Sequence, residues 1–449
     1  AACRVASAAG VRVLALPQAN PTPLTAFSML HFDADAGVMV TASHNPAPDN
    51  GYKVYLGGTV AQGDGRGVQI VPPFDAEIAA AIEAAPPADE VPMNDDLVEA
   101  VDPREEYVAC ASALASGEAS AREDLRIVLT AMHGVGAAIT SRVLAEAGFS
   151  NVSLVEAQAQ PDPDFPTVPF PNPEEAGALD MAIEQAREQG ADLIIAVDPD
   201  ADRCALAVPD PAAEAGWRPL SGDQIGCLLG EFLASRGIQG SLANSIVSSR
   251  LLARIAHAHG LVHHTTLTGF KWIARAPELA FGYEEAIGFC PNPAIARDKD
   301  GIASSVVAAS LFAALKTEER TAWDELDRLA HAHGLHVTGP LTFRVEEIEQ
   351  IATGMARLRA QPPSELAGSP VVEVSDLSEG YQGLPPTDGV LVLTKAGDRV
   401  IARPSGTEPK LKCYLEVILP APEGEPVPWD EAYERLERIK REFGQIIGL

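Results

Sequence analysis

Three observations predict an α/β fold of several domains with a smaller α+β domain at its C-terminal end. Short apolar runs alternate with helical patterns along most of the chain. The length, 449 residues, is too great for one hydrophobic core: at roughly 100–200 residues per domain it predicts two to four domains. Past residue 340 the pattern changes to strand pairs and one closing helix, Trp429–Ile447. With 46% hydrophobic and 21% charged residues, the composition is that of a globular chain and too apolar for a disordered one.

In chain order, an Ala-rich helical pattern over residues 1–10 runs straight into a strand at 11–16. A parallel α/β unit places a strand before its first helix, so the opening reads as lying partway through a domain. Further strands are expected at 36–40, 126–129, 152–155, 193–197 and 245–247, in largely parallel sheets, with helices at 137–147 and 179–189. Breaks near 116–124, 217–223 and 336–340 give four domains, 1–120, 121–219, 220–336 and 337–449: three α/β units and the C-terminal α+β unit.

Lys and Arg total 33 against 63 Asp and Glu, a formal net charge of −30. That field repels nucleic acid and anionic membranes, so neither is an expected partner. Six scattered cysteines without a CxxC pair read as reduced thiols of a cytoplasmic protein. No run approaches the ~18 consecutive apolar residues of a membrane span, and no basic-then-apolar leader opens the chain.

Four loops carry chemistry. Thr41-Ala42-Ser43-His44-Asn45-Pro46 follows an apolar strand, so Ser43 is placed to project its hydroxyl into a crevice. His44 and Lys53 are placed to polarise or deprotonate groups near it. A plain turn accounts for the same composition, and adjacent Ser-His is not by itself a hydrolase dyad. Asp198-Pro199-Asp200-Ala201-Asp202-Arg203 follows a buried strand. Its three alternating carboxylates repel one another unless a hard divalent cation neutralises them. An EF-hand would need Gly and Glu where Arg203 and Pro209 stand. A solvated acidic turn and a haloacid-dehalogenase-type phosphatase are the rivals, and the latter leaves the Ser43 loop unexplained. Arg403-Pro404-Ser405-Gly406-Thr407-Glu408-Pro409-Lys410 combines cations, hydroxyls and a glycine, as a phosphate cradle or a polar hairpin turn would. Gly282-Tyr283-Glu284-Glu285-Ala286-Ile287-Gly288, followed by Arg297-Asp298-Lys299-Asp300-Gly301, suits sugar hydroxyls plus a phosphate, or a surface ion-pair cluster. Lys271, beside Gly269, is a weaker candidate. Together these loops form a phosphoryl-transfer kit.

At this point the chain resembles the α-D-phosphohexomutase family, the phosphoglucomutases and phosphomannomutases, over essentially its whole length. Thr-Ala-Ser-His-Asn-Pro is similar to the family's phosphoserine loop, Asp-Pro-Asp-Ala-Asp-Arg to its magnesium loop, Gly-Tyr-Glu-Glu-Ala to its sugar-binding loop and Arg-Pro-Ser-Gly-Thr-Glu-Pro-Lys to its phosphate loop. The resemblance implies four domains around a central cleft. It makes Ser43 the phosphorylated residue, with Mg²⁺ on its phosphate and on Asp198, Asp200 and Asp202. Lys53 becomes the acid/base candidate, with His44 and Asn45 orienting the loop and Arg203 neutralising the transferring group. Glu284 and Glu285 would read sugar hydroxyls. Arg403, Ser405, Gly406, Thr407 and Lys410 would hold the phosphate not being transferred, with Lys271, Arg297 and Lys299 as further cleft cations. A sugar bisphosphate would be the intermediate and activator, and the partner a small-molecule sugar phosphate.

Pro199 replaces the family's usual Gly, and Ala286 stands where many members have Ser. With Pro161-Asp-Pro-Asp-Phe-Pro-Thr-Val168 and Thr266-Leu-Thr-Gly-Phe-Lys271, these departures resemble the phosphopentomutase-like branch. The expected activity is interconversion of hexose 1- and 6-phosphates. A phosphopentomutase and a non-catalytic sugar-phosphate-binding fragment are the alternatives, the last because the family's first strand and its Gly- and Arg-containing loop are expected to be missing.

Overall fold

The computed structural model describes residues 1–17, 19–404 and 409–448. The chain divides into two compact units, each built from two separated stretches: Ala1–Gly222 with Ala274–Glu319, and Asp223–Ile273 with Arg320–Leu449.

In the first unit, β1 (Val13–Ala15) pairs in parallel with β5 (Val98–Ala100), and β2 (Ala36–Val40), β3 (Tyr52–Leu56) and β4 (Val68–Gln69) form a separate antiparallel sheet. A parallel setting for the strand at 36–40 is therefore corrected. The loop 41–51 that leads from β2 to β3 is too short for a crossover, which needs a dozen or more residues, so the chain turns back as a hairpin with Met39 opposite Lys53.

The second sheet of this unit has the order β10-β9-β8-β6-β7: β6 is Ile127–Thr130, β7 Val152–Leu154, β8 Leu193–Val197, β9 Cys204–Pro209 and β10 Trp217–Pro219. Leu-Ile-Ile-Ala-Val has no polar position, so β8 needs cover on both faces, and all five of its residues are buried. β7, β6 and β8 run parallel, whereas β9 and β10 are antiparallel. The sheet changes direction at the turn between β8 and β9, residues 198–203. The helix Gly301–Thr317, rich in Ala, Ser and Val, is buried along nearly its whole length in the same unit; the Asp300 carboxylate caps it by accepting from the Ala303 N–H at 2.8 Å.

In the second unit, β11 (Ser241–Ser245) pairs in parallel with β12 (Val262–Thr266). The strand expected at 245–247 is thus found at Ser241–Ser245. Its polar sequence hid it: Asn244 is buried, but its amide donates to Ser249 O at 2.8 Å and its carbonyl meets His263 Nε2 at 3.0 Å, so a polar residue sits inside at little cost. The hairpin β13 (Leu279–Glu284) and β14 (Gly288–Cys290) belongs to the first unit.

The C-terminal part is a six-stranded sheet, β15 (Leu335–Arg344), β16 (Glu365–Leu366), β17 (Ser369–Asp376), β18 (Val390–Thr394), β19 (Arg399–Pro404) and β20 (Lys410–Leu419), in the order β15-β20-β19-β18-β17-β16 with antiparallel neighbours throughout. The closing helix Trp429–Ile447 buries Ala432, Leu436, Ile439, Phe443 and Ile447, one stripe at three- and four-residue spacing. These residues meet Val400, Leu411, Leu415 and Val417 of the sheet.

Glu416 on β20 is fully buried and accepts from Ser249 Oγ at 2.9 Å, the Arg250 N–H at 2.8 Å and Arg250 Nε at 2.6 Å, with His336 Nδ1 at 2.9 Å and Arg399 Nη2 at 3.2 Å. Burial alone would raise its pKa; Arg399, the His336 hydrogen bond and Arg250 outweigh it and hold the carboxyl well below its ordinary range. A depressed native pKa contributes stability above the unfolded value, about 4.3, that is lost as pH falls. Glu416→Gln is expected to cost roughly 3–5 kcal/mol at pH 7 and to flatten the acid limb of the stability curve. Urea unfolding followed by tryptophan fluorescence between pH 7 and 3 checks both; an unchanged acid limb sinks the assignment.

Candidate active site

Two loops meet in the first unit. The 41–51 loop closes β2 onto β3 through the Thr41 N–H to Gly51 O bond, 3.0 Å, and holds Ser43 in the left-handed region at φ 51°. The Thr41 hydroxyl accepts from the Ser43 N–H at 2.8 Å. The 198–203 loop is a tight hairpin turn: the Ala201 N–H returns to Asp198 O at 2.8 Å, and Ala201 takes φ 53°. The Thr22 N–H and hydroxyl both reach Asp200, at its backbone O (2.9 Å) and its carboxylate (2.6 Å).

Ser43 Oγ lies 3.0 Å from Asp198 Oδ2 and 3.0 Å from Asp200 Oδ1, its one proton shared between them, and 3.3 Å from His44 Nδ1. Asp198, Asp200 and Asp202 are all buried. Lys53 Nζ donates to Asp200 Oδ2 at 2.8 Å and to Asp202 Oδ2, and Lys299 Nζ stands 3.1 Å from that same Asp202 oxygen and 3.9 Å from Glu284 Oε1. Arg203 donates its N–H to Asp198 Oδ1 at 2.9 Å and Nη1 to Ala286 O at 3.1 Å; Glu174 is 4.0 Å away.

The charge states follow from these contacts. Burial, then Asp200 and Asp202, push Asp198 well above the usual carboxylate range. Burial would do the same to Asp200, but the Lys53 ammonium outweighs it and lowers that pKa. Burial disfavours charge on Lys53 too, yet Asp200, Asp202 and Asp298 raise its pKa above the ordinary value. Burial and then Arg203 bring His44 down to about 3, leaving a neutral imidazole. Lys53 is therefore held as a cation.

The site assembles Ser43, His44, Lys53, Asp198, Asp200, Asp202, Arg203, Glu284 and Lys299 within one unit. Glu284 ends β13 and is buried, whereas Glu285 lies in the following turn, half-buried. Arg297, expected among the cleft cations, instead donates to Gly63 O (3.2 Å) and faces Asp64 at 3.4 Å. Lys271, in the helical turn Phe270–Ile273, and Arg403 and Lys410, at the facing ends of β19 and β20, belong to the second unit. Ser405, Gly406 and Thr407 lie outside the described residues.

Sequence reasoning missed Thr22, whose context carries no signal, and the loop 131–136 that backs the aspartates. There the Val135 N–H donates to Pro199 O at 2.8 Å, and a Cβ on Gly134 would collide with the Pro199 backbone. Gly134→Ala should push the aspartate loop aside, costing about 1–3 kcal/mol and weakening divalent-metal affinity by at least about tenfold. Titration of Mg²⁺ into the protein, followed calorimetrically, measures the second effect; unaltered affinity would show that the loop tolerates the shift.

The donor set fits a hard divalent cation. Ligand oxygens of the three aspartates lie within 4.8 Å of one another. The cations and the Arg203 amide take one oxygen from each, leaving Asp198 Oδ2, Asp200 Oδ1 and Asp202 Oδ1, and the last is buried with no hydrogen-bond partner among the described residues. All-carboxylate oxygen donors suit Mg²⁺.

Four family models match in order: the phosphoglucomutase/phosphomannomutase α/β/α domain I over residues 1–88, domain II over 105–211, domain III over 221–331 and the C-terminal domain over 315–424. The chain belongs to the phosphoglucomutase/phosphomannomutase family. A probable phosphomannomutase of Haemophilus influenzae is 45% identical over 420 residues, spanning 92% of this chain and 83% of that protein. The human phosphopentomutase is 30% identical over 483 residues, covering 98% of this chain and 76% of its own length. A Saccharomyces cerevisiae phosphoribomutase is 34% identical over 462 residues, at 88% and 72%. Among solved structures, the phosphoglucomutase parafusin of Paramecium has the same fold, with a TM-score of 0.70 at 18% identity over 100% of this chain and 85% of that one. The chain is thus a mutase-type enzyme with three α/β/α domains and a C-terminal domain, and its relatives divide over the sugar named. Among the described residues no helix is long and apolar enough to cross a membrane.

Proposed function

We propose that this enzyme interconverts the 1- and 6-phosphates of a hexose, glucose or mannose, through a phosphoserine at Ser43 and a sugar bisphosphate intermediate. The observation that carries the reading is the setting of Ser43 Oγ, 3.0 Å from Asp198 and Asp200, with Lys53 on Asp200 and both Lys53 and Lys299 on the third buried aspartate, Asp202. The three aspartates face three cations, Lys53, Lys299 and Arg203. A divalent cation and a phosphoserine dianion then enter as a neutral pair.

In the first half-reaction the phosphorus–Oγ bond of phosphoserine 43 breaks as a bond forms to a sugar hydroxyl. The proton leaving that hydroxyl is the one Ser43 Oγ requires, and His44, 3.3 Å from Oγ, is placed to pass it on. Lys53 and Arg203 neutralise charge as it shifts between the two oxygens. Glu284 receives sugar hydroxyls. Ser43, Asp198, Asp200 and Asp202 would hold Mg²⁺, whose chemistry there is Lewis-acid neutralisation of phosphoryl oxygens. The bisphosphate then turns end for end and returns its other phosphate to Ser43. Arg403, Ser405, Gly406, Thr407 and Lys410 grip the phosphate that is not moving, with Lys271 as a further cation. An Aspergillus fumigatus N-acetylphosphoglucosamine mutase, 16% identical with a TM-score of 0.54 over 99% of this chain and 93% of that one, is described in complex with GlcNAc-6P and magnesium, which agrees with this choice of metal and ligand.

A pentose reading is favoured by the phosphopentomutase and phosphoribomutase relatives. Glucose 1-phosphate, mannose 1-phosphate and ribose 1-phosphate, each supplied with Mg²⁺ and a trace of the matching bisphosphate, decide between them. The expected product is a hexose 6-phosphate. Turnover of ribose 1-phosphate alone transfers the assignment to pentoses, and release of free phosphate without isomerisation would replace the mutase by a hydrolase.

A further inference from the structure

Lys299 sits between two buried aspartates, and each is held by a buried tyrosine from the first part of the chain. The Tyr55 hydroxyl donates to Asp298 Oδ2 at 2.5 Å, and the Tyr107 hydroxyl donates to Asp300 Oδ1 at 2.7 Å. Both tyrosines are fully buried, and both aspartates are 2% exposed. Gln69, the cross-strand partner of Tyr55, donates its amide to the same Asp298 oxygen at 2.7 Å, while Asp298 Oδ1 accepts from the Lys299 N–H at 2.8 Å.

The arrangement ties together two lysines that share one carboxylate. Lys53 and Tyr55 are alternate residues of β3 and so project from the same face. Lys53 reaches Asp200 and Asp202, and Tyr55 reaches the residue before Lys299. One strand therefore sets the position of one lysine directly and of the other through a single hydrogen-bonded step. The path of Lys299 is confined on another side as well: a Cβ on Gly288 would strike its Cδ. Two ammonium groups around one Asp202 oxygen repel each other, and neither stays there by attraction to Asp202 alone. A rigid mount for the second one is what keeps both cations facing the transferring phosphoryl group.

We infer that Tyr55 and Asp298 are positioning residues of the phosphoryl-transfer site, acting on turnover through Lys299. The inference rests on the mutase reading above and adds to it residues that touch neither substrate nor metal. A buried tyrosine–carboxylate bond that served the core alone would affect stability and leave Lys299 unaltered, so the two roles separate experimentally.

The test is a double-mutant cycle on the full chain with Tyr55→Phe, Lys299→Met and the pair, alongside acetic anhydride labelling of the lysines read by peptide mass spectrometry. Tyr55→Phe should lower kcat about 10–100-fold with KM within about threefold, and in the Lys299→Met background it should lower kcat no further. Labelling of Lys299 should rise severalfold in Tyr55→Phe, with Lys395 and Lys412 unaffected. Multiplicative losses in the double variant, or unchanged labelling of Lys299, overturn the inference. If the wild-type protein turns over no sugar phosphate, the mutase reading fails by itself, and the labelling still decides whether Tyr55 sets the place of Lys299. Should Tyr55→Phe fold poorly, Asp298→Asn takes its place in the same scheme.

Discussion

Ser43→Ala is expected to reduce mutase turnover by about 10⁴-fold or more, because the oxygen proposed to carry the phosphoryl group between half-reactions is gone. The substitution removes one atom. Ala and Ser share the Cβ that the left-handed backbone at φ 51° must accommodate, so backbone strain is unchanged. The lost contacts are those to Asp198, Asp200 and His44; Asp198 keeps the Arg203 N–H and Asp200 keeps Thr22 and Lys53, so both carboxylates remain partnered. The loss should therefore fall on chemistry and leave stability nearly intact. Incubation with glucose 1,6-bisphosphate and Mg²⁺ followed by peptide mass spectrometry should find a phosphoryl group on Ser43 of the wild type and none on the variant. A phosphorylated peptide elsewhere in Ser43→Ala, with turnover retained, would move the nucleophile.

The parts of this site that the sequence made legible share a physical property: each is a dense local motif. Asp198, Asp200 and Asp202 lie within five residues after an all-apolar strand, and three adjacent carboxylates demand an explanation. β8 could be read to its ends because burial on both faces leaves no polar position. Residues joined only by the fold gave no such signal. Thr22 reaches Asp200 from 178 positions away and Tyr55 reaches Asp298 from 243, and neither stands in a motif. The direction of β2 was lost because an apolar run specifies a strand but not its partner; only the shortness of 41–51 spoke for a hairpin. β11 was misplaced because Ser-Leu-Ala-Asn-Ser becomes tolerable inside only after Ser249 O and His263 satisfy Asn244.

The second large effect concerns Asp198 and runs in opposite directions for activity and stability. Without a cation, burial and the two neighbouring carboxylates raise the Asp198 pKa well above its unfolded value. A raised native pKa means that stability present at low pH is lost as pH climbs through it, so at pH 7 the carboxylate is a cost of folding. Asn at this position keeps an acceptor for the Arg203 N–H and turns an amide donor toward Ser43 Oγ, the two contacts Asp198 makes now. In a chelator, Asp198→Asn is therefore expected to unfold at a higher temperature than the wild type, by roughly 2 °C for each kcal/mol relieved. With Mg²⁺ the order reverses: binding to the native state stabilises the wild type in proportion to RT ln(1 + [L]/Kd), and the variant, one ligand short, gains less. Its turnover should fall about 10²–10³-fold. Thermal unfolding of both proteins in EDTA and in a Mg²⁺ series, beside the mutase assay, reads all three quantities. A variant less stable than the wild type in EDTA, or one that gains as much from Mg²⁺, would mean that Asp198 serves the turn of the loop and not the cation.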